Sequence, residues 1–112
     1  MILITPLQIT ADWEAIIKTP ERKVVSAGLR ASIGFLDEML RAHDENEDIF
    51  PELCEAQRGC TEALARLRKR SLSNGEFVPE DIQQSCAKIA GLIKNILILL
   101  DEPQLAAMLA VP

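Results

Sequence analysis

The chain has 112 residues, 48% hydrophobic and 26% charged, which is typical of one globular domain rather than of a disordered segment. Its formal net charge is −5, with 12 Lys and Arg against 17 Asp and Glu, so it has no general attraction for nucleic acid. Residues 1–6 lack the basic start and the long apolar run of a signal peptide, and we therefore expect a cytoplasmic protein.

A short helix is predicted over residues 10–18, with Thr10 as its N-cap and Trp13 on its apolar side. Residues 1–9 show no helical periodicity. They could pair as a strand, cover one end of a bundle or mediate assembly, and the sequence does not choose among these.

The first long helix is predicted to begin at Thr19-Pro20-Glu21. A threonine cap, a proline at the first helical position and a nearby acid all favour a helix start. Apolar residues then recur at steps of three and four from Val25 to Leu40, and His43 lies at the end of this stripe.

The second long helix is predicted from Ile49 to about Leu67, between an acidic turn and the stop signal at Ser73-Asn74-Gly75. Acids near its start and bases near its end complement the helix dipole. We name two groups here: the acidic patch is Asp44, Glu45, Glu47, Asp48 and Glu52, and the basic patch is Arg66, Arg68, Lys69 and Arg70.

The third long helix is predicted from about Pro79 to Leu100, and Pro103 ends it. Short loops between long helices favour antiparallel neighbours. We therefore predict an all-α fold, an up-down-up bundle of three long helices with a short N-terminal helix and a short C-terminal helical turn. In this single domain, 1–112, residues 1–18 form the arm and short helix, 19–102 the three-helix core and 103–112 the tail.

The acidic turn resembles a calcium-binding loop in one respect: residues 44–48 and Glu55 have the oxygen spacing of an EF-hand loop. Ile49 stands where that loop needs glycine, and Pro51 follows two residues later. The acidic residues are therefore interpreted as a solvated turn before a helix N-terminus.

Zinc binding and nucleophilic catalysis also lack complete motifs. His43, Cys54, Cys60 and Cys86 have no Cys-x-x-Cys or paired-histidine spacing, and the three cysteines are expected to be reduced and buried. We predict a non-enzymatic protein without cofactor or metal. A small metal-binding protein or enzyme around His43 is kept as a further alternative.

Residues 89–100 form the most apolar stretch, in which only Lys94 and Asn95 are polar. The stretch is shorter than the roughly 20 residues of a bilayer-spanning helix, so no membrane span is expected. A helical wheel places Ile98 opposite the core stripe, where a three-helix core does not explain it. We predict an interface formed by Leu92, Ile98, Leu99, Leu105 and Met108.

The predicted function is a helical protein–protein interaction module, a small regulator, adaptor or chaperone that forms a homodimer or binds a helical partner through this interface. The alternative is a nucleic-acid-associated regulator that uses the basic patch. Nucleic acid is not the favoured partner, because the helix dipole accounts for the basic patch. The chain has no Tyr, and its three Phe and one Trp lie outside the patch, so the sequence shows no platform for base stacking.

Overall fold

The computed structural model describes residues 4–109, which form five α-helices. The helices are α1, Pro6–Lys18; α2, Arg22–Ala42; α3, Ile49–Lys69; α4, Glu80–Leu99; and α5, Pro103–Met108. The predicted all-α class is confirmed, with three long helices, α2, α3 and α4, and a short helix on either side of them in sequence. The open question about residues 1–9 lies partly outside the described residues, because the description starts at Ile4.

Four helices, rather than three, enclose the core. α3 packs between α2 and α4, and α1 packs against both α2 and α4. Among the described helices, the backbones of the two diagonal pairs, α1 with α3 and α2 with α4, do not come close to each other. Three side chains of α1, Ile9, Trp13 and Ile16, are at most 2% exposed. The short N-terminal helix is therefore the fourth side of the core, and the predicted three-helix core is incomplete without it.

Polar contacts between the long helices show their antiparallel order. The Gln57 side chain donates a hydrogen bond to Asp37 between α2 and α3, and Arg70 forms an ion pair with Asp81 between α3 and α4. The C-termini of α1 and α3 thus lie at the same end of the bundle as the N-termini of α2 and α4. The other end carries the acidic turn and α5.

The predicted start of the short N-terminal helix is wrong. α1 begins at Pro6, and Thr5 is its cap, with the hydroxyl oxygen accepting a hydrogen bond from the Gln8 N–H at 3.2 Å. Thr10 lies inside the helix and is fully buried. Its hydroxyl donates to the Pro6 carbonyl at 2.8 Å, which satisfies the polar group without a cap.

The predicted start of the first long helix is also wrong. α2 begins at Arg22, and Thr19 is the C-cap of α1. The Pro20 carbonyl accepts a hydrogen bond from the Val78 N–H at 2.8 Å, and the Arg22 N–H donates to the Glu76 carbonyl at 2.8 Å. These bonds hold the backbone before Arg22 against the loop that precedes α4, so α2 cannot extend towards Pro20.

Candidate interaction surfaces

An apolar surface lies at the end of the bundle that carries α5. Ile98 and Leu99 at the end of α4 are 50% and 47% exposed, and Met108 of α5 is 52% exposed. We call these three residues the C-terminal apolar surface. α5 packs against both α1 and α4, and α1 adds Leu7, which is 62% exposed. Sequence reasoning missed Leu7 because it placed residues 1–9 outside any helix.

The other predicted interface residues, Leu92 and Leu105, are partly buried and pack against the core. Leu92 lines a groove between α3 and α4 together with charged side chains such as Glu62 and Lys88. At 100° per residue it points about 120° away from Ile98. Ile98, Leu99 and Met108 are all about half exposed at this end of the bundle. Leu92 lies on nearly the same side of α4 as Leu99, about 20° away by the same measure, but two turns earlier and partly buried.

The tail covers part of α4 but not its exposed end. Ala106 and Leu109 are at most 3% exposed, so α5 is anchored in the core. Val111 lies outside the described residues. Charged residues flank Ile98 along the chain, with Lys94 four residues before it and Asp101 three residues after it. The backbone N–H of Asp101 donates a hydrogen bond to the Ile98 carbonyl at 3.0 Å.

The acidic patch forms a turn that is closed by its own hydrogen bonds. The N–H of Glu47 donates to the Asp44 carbonyl at 3.0 Å, and Glu47 Oε2 lies 2.5 Å from Nδ1 of His43, the C-cap of α2. The hydrogen bond from His43 lowers the pKa of the Glu47 carboxyl. Of the remaining acidic-patch residues, Glu45 and Asp48 are exposed and Glu52 is half-buried in α3.

The acids that share the oxygen spacing of an EF-hand loop do not converge on one point. Glu55 lines the groove between α3 and α4 rather than facing the acidic turn. Within residues 4–109, no group of three or more His, Cys, Asp or Glu side chains has an arrangement that could hold a metal ion.

The three cysteines are free thiols in two different environments. Cys60 and Cys86 are buried, and burial raises the pKa of Cys60 to about 12 and that of Cys86 to about 11. Cys54 is exposed, so the expectation of three buried thiols is wrong at this position. Its place on α3 puts it opposite the face that carries Leu53 and Ala56 into the core.

The basic patch is exposed, and the structure enlarges it with residues from α2. Arg70 forms its ion pair with Asp81 at 3.0 Å, and Arg66 donates a hydrogen bond to Ser85 Oγ at 3.3 Å. The N-terminal half of α2 lies at the same end of the bundle. We call the combined surface the basic end, consisting of Arg22, Lys23, Arg30, Arg66, Arg68, Lys69 and Arg70.

Two shallow grooves run along the basic end and share Arg30. The first is lined by Arg22, Lys23, Ser26, Ala27, Arg30 and Asn74. The second lies between α2 and α3 and is lined by Arg30, Ile33, Thr61, Leu64, Ala65 and Arg68. Among the residues that the structure describes, no acidic side chain lines either groove.

An aromatic side chain also lies at this end. Phe77 is 63% exposed, and its backbone pairs with Glu21, the residue before Arg22. Sequence reasoning missed this proximity because more than fifty residues separate Phe77 from Arg22 at the start of α2. One signal was present in the sequence: the first turn of α2 carries Arg22 and Lys23 and no acid, against the preference of a helix N-terminus.

No protein-family model, curated protein or solved structure matches this chain. None of the helices in residues 4–109 is both long enough and apolar enough to cross a membrane. The function is therefore inferred from the two surfaces at opposite ends of the bundle.

Proposed function

We propose that the protein is a non-enzymatic helical interaction module, a small regulator, adaptor or chaperone, that self-associates through the C-terminal apolar surface. The supporting observation is that Ile98, Leu99 and Met108, on two packed helices, are all about half exposed. Large contiguous apolar patches are uncommon on monomeric proteins, and where they occur they mark interaction sites. We further propose that it acts in the cytoplasm, where its three free cysteines stay reduced.

A second copy is the partner that the charges around this surface favour. If two α4 helices cross antiparallel at Ile98, a twofold axis carries Lys94 of one copy past the end of the partner's α4, towards the turn with the acids Asp101 and Glu102 that follows it. The twofold axis generates this contact a second time, with the roles of the two copies exchanged. Opposite charges are thus brought together around an apolar centre, the arrangement that fixes orientation in many interfaces.

Solution mass tests this proposal. Light scattering over a concentration series should give a dimer for the unchanged protein and a monomer for Ile98→Asp and for Leu99→Asp. Each substitution would bury a carboxylate in the apolar interface without a partner. The helical content of both variants, measured by circular dichroism, should equal that of the unchanged protein.

A charge exchange makes the test specific to the twofold arrangement. Lys94→Glu and Glu102→Lys should each weaken the dimer, and the double variant should regain most of the lost affinity. Phe77→Asp is the matched control, because Phe77 is exposed at the opposite end of the bundle. A protein that is monomeric at every concentration, or a dimer that survives both aspartate substitutions, would contradict the proposal.

A further inference from the structure

The placement of positive charge at the basic end is not explained by helix stability alone. Cations in the last turn of α3 complement the negative end of its dipole. Arg22 and Lys23 are the first two residues of α2, where the dipole disfavours cations. The preceding Glu21 is the N-cap residue and makes no side-chain capping hydrogen bond, so the only acid at this helix start is one residue before the two cations.

From this surface we propose that the basic end binds single-stranded nucleic acid. Arg22, Lys23, Arg30 and Arg68 contact the phosphates, and Phe77 stacks on a base. The inference is independent of self-association, because the two surfaces lie at opposite ends of the bundle.

The positions of the cations suit an extended chain of phosphates. Arg22 and Arg30 are eight residues apart on α2, which is about 12 Å along the helix axis at 1.5 Å per residue. Arg68 of α3 adds a further cation beside this row, in the groove between α2 and α3 that it lines together with Arg30. Ser26 lines the first groove and offers a hydroxyl donor, whereas the Thr61 hydroxyl in the second groove already donates to the Gln57 carbonyl at 2.9 Å. The repeated positive charge matches a polyanion better than a single small anion.

These cations are also available for a ligand. Within residues 4–109, the side chains of Arg22, Lys23, Arg30 and Arg68 form no ion pair, and none of them takes part in a side-chain hydrogen bond of the protein. The ion pairs of the described residues are His43 with Glu47 and Arg70 with Asp81. Binding of phosphate therefore breaks no existing interaction of these four side chains.

The exposed ring of Phe77 favours one kind of polyanion as the ligand of the basic end. The Phe77 ring lines neither groove, but its backbone pairs with Glu21, the residue before Arg22 of the first groove. Exposed aromatic rings and cations at one surface are the combination by which proteins bind single strands, because every base offers a face for stacking. Bases in a duplex are already stacked on their neighbours, and an acidic peptide has no flat ring to place on Phe77. The exposed ring thus favours a single strand over a duplex and over an acidic peptide.

Fluorescence anisotropy of a labelled single-stranded oligonucleotide of about a dozen nucleotides tests the proposal, within the usual site sizes of such proteins. Binding to the full chain should be measurable at low salt and should fall steeply as salt rises. The Arg30→Gln/Arg68→Gln variant should bind about tenfold more weakly. The slope of log affinity against log salt should decrease by about 0.7 for each cation removed.

Phe77→Ala should lower the affinity about tenfold and leave the salt slope unchanged, because stacking releases no counterions. Arg41→Gln/Arg58→Gln is the matched charge control, since it also removes one exposed arginine from α2 and one from α3. Leu7→Ala is the control for Phe77, because it truncates an equally exposed apolar side chain at the other end. Both controls should bind like the unchanged protein.

Three results would overturn the proposal. The first is no binding of the single strand at the lowest salt concentration. The second is an equal loss in the Arg41/Arg58 control, which would show a response to net charge alone. The third is equal or tighter binding of a duplex or of a polyglutamate peptide together with no effect of Phe77→Ala, which would assign the surface to a different polyanion.

Discussion

The Trp13 indole N–H donates a hydrogen bond to Ser32 Oγ at 2.8 Å, and both residues are fully buried between α1 and α2. The Ser32 hydroxyl in turn donates to the Gly28 carbonyl at 2.8 Å. Every polar group of this pair is therefore partnered inside an apolar contact. Because a shift of α1 along α2 would leave the indole N–H unpaired, the bond also fixes the register of the two helices.

The hydrogen bond between Trp13 and Ser32 predicts a non-additive pair of substitutions. Ser32→Ala should lower the free energy of unfolding by about 1–3 kcal/mol, because the indole N–H is left buried without an acceptor. Trp13→Phe removes that donor, so Ser32→Ala should cost less in the Trp13→Phe background. Urea denaturation followed by circular dichroism measures the cycle, and additive losses would contradict the prediction.

Three glycines in helices should respond differently to alanine. A Cβ built on Gly28 collides with the side-chain tip of Ile16, whereas one on Gly91 meets nothing within 4 Å. Gly91→Ala should stabilise the protein by about 0.5–1 kcal/mol through helix propensity. The effect of Gly59→Ala on stability should lie between the effects of the other two substitutions, because a Cβ built on Gly59 lies 3.1 Å from Ile89 Cγ1.

Gly28→Ala should be destabilising in spite of its better helix propensity, because the buried Ile16 side chain must leave its packed position to accept the methyl group. The Ile16→Val substitution removes the colliding Cδ1 atom, and it should therefore relieve part of the loss when combined with Gly28→Ala. Thermal unfolding of the single and double variants measures this coupling. A stabilising Gly28→Ala would show that the α1–α2 contact is looser than described.

The sequence predicted the long helices well because their apolar stripes and charged ends are local signals. α3 begins at Ile49, and α4 begins at Glu80 just after Pro79, as their stripes and the helix-start signal predict. The start of α2 was missed although Thr19-Pro20-Glu21 is a strong local start signal. The hydrogen bond between Pro20 and Val78 overrides it, and no local pattern reports a contact over that distance in sequence.

The candidate surfaces were predictable only in part for the same reason. The exposure of Ile98 follows from its position on the helical wheel, and it is observed. The approach of Phe77 to Arg22 and the shared groove of Arg30 and Arg68 depend on how distant segments pack. Periodicity reports which face of a helix is buried, and it does not report which neighbour covers that face.

The thiols should differ sharply in reactivity. Cys54 is exposed and should react at once with Ellman's reagent, whereas the buried Cys60 and Cys86 should react only as fast as the protein opens. We expect one thiol per chain to react rapidly in the native protein and all three thiols to react rapidly in denaturant. Cys54→Ser should abolish the rapid phase, and a rapid phase that remains would show that a core thiol is accessible.

The raised thiol pKa values also predict a loss of stability in alkali. An unfolded cysteine ionises near pH 9.0, but folded Cys60 and Cys86 hold their protons to about pH 12 and about pH 11. Between the unfolded pKa and the folded pKa of each thiol, the unfolded chain binds fewer protons than the folded protein does. The free energy of unfolding therefore falls as the pH rises through this range. The Cys60→Ala/Cys86→Ala variant should show a shallower fall over this range than Cys54→Ser does, when both are followed by urea denaturation.

The contact between His43 and Glu47 should make the acidic turn sensitive to acid. The hydrogen bond from His43 holds the pKa of Glu47 below its ordinary value of 4.5 in the folded protein. A carboxyl with a lowered folded pKa stabilises the fold fully above its ordinary pKa, and that contribution is lost as the pH falls through the folded value. Glu47→Gln should therefore lower the melting temperature at pH 7 and have a vanishing effect in strong acid.

Glu45→Gln is the matched control for this titration, because Glu45 is exposed in the same turn and its side chain makes no hydrogen bond within the described residues. Melting temperatures of both variants and of the unchanged protein are compared between pH 2 and pH 7. Only Glu47→Gln should converge with the unchanged protein as the acid is added. Equal behaviour of the two variants would show that the turn responds to its total charge, and that the contact between His43 and Glu47 does not contribute to stability.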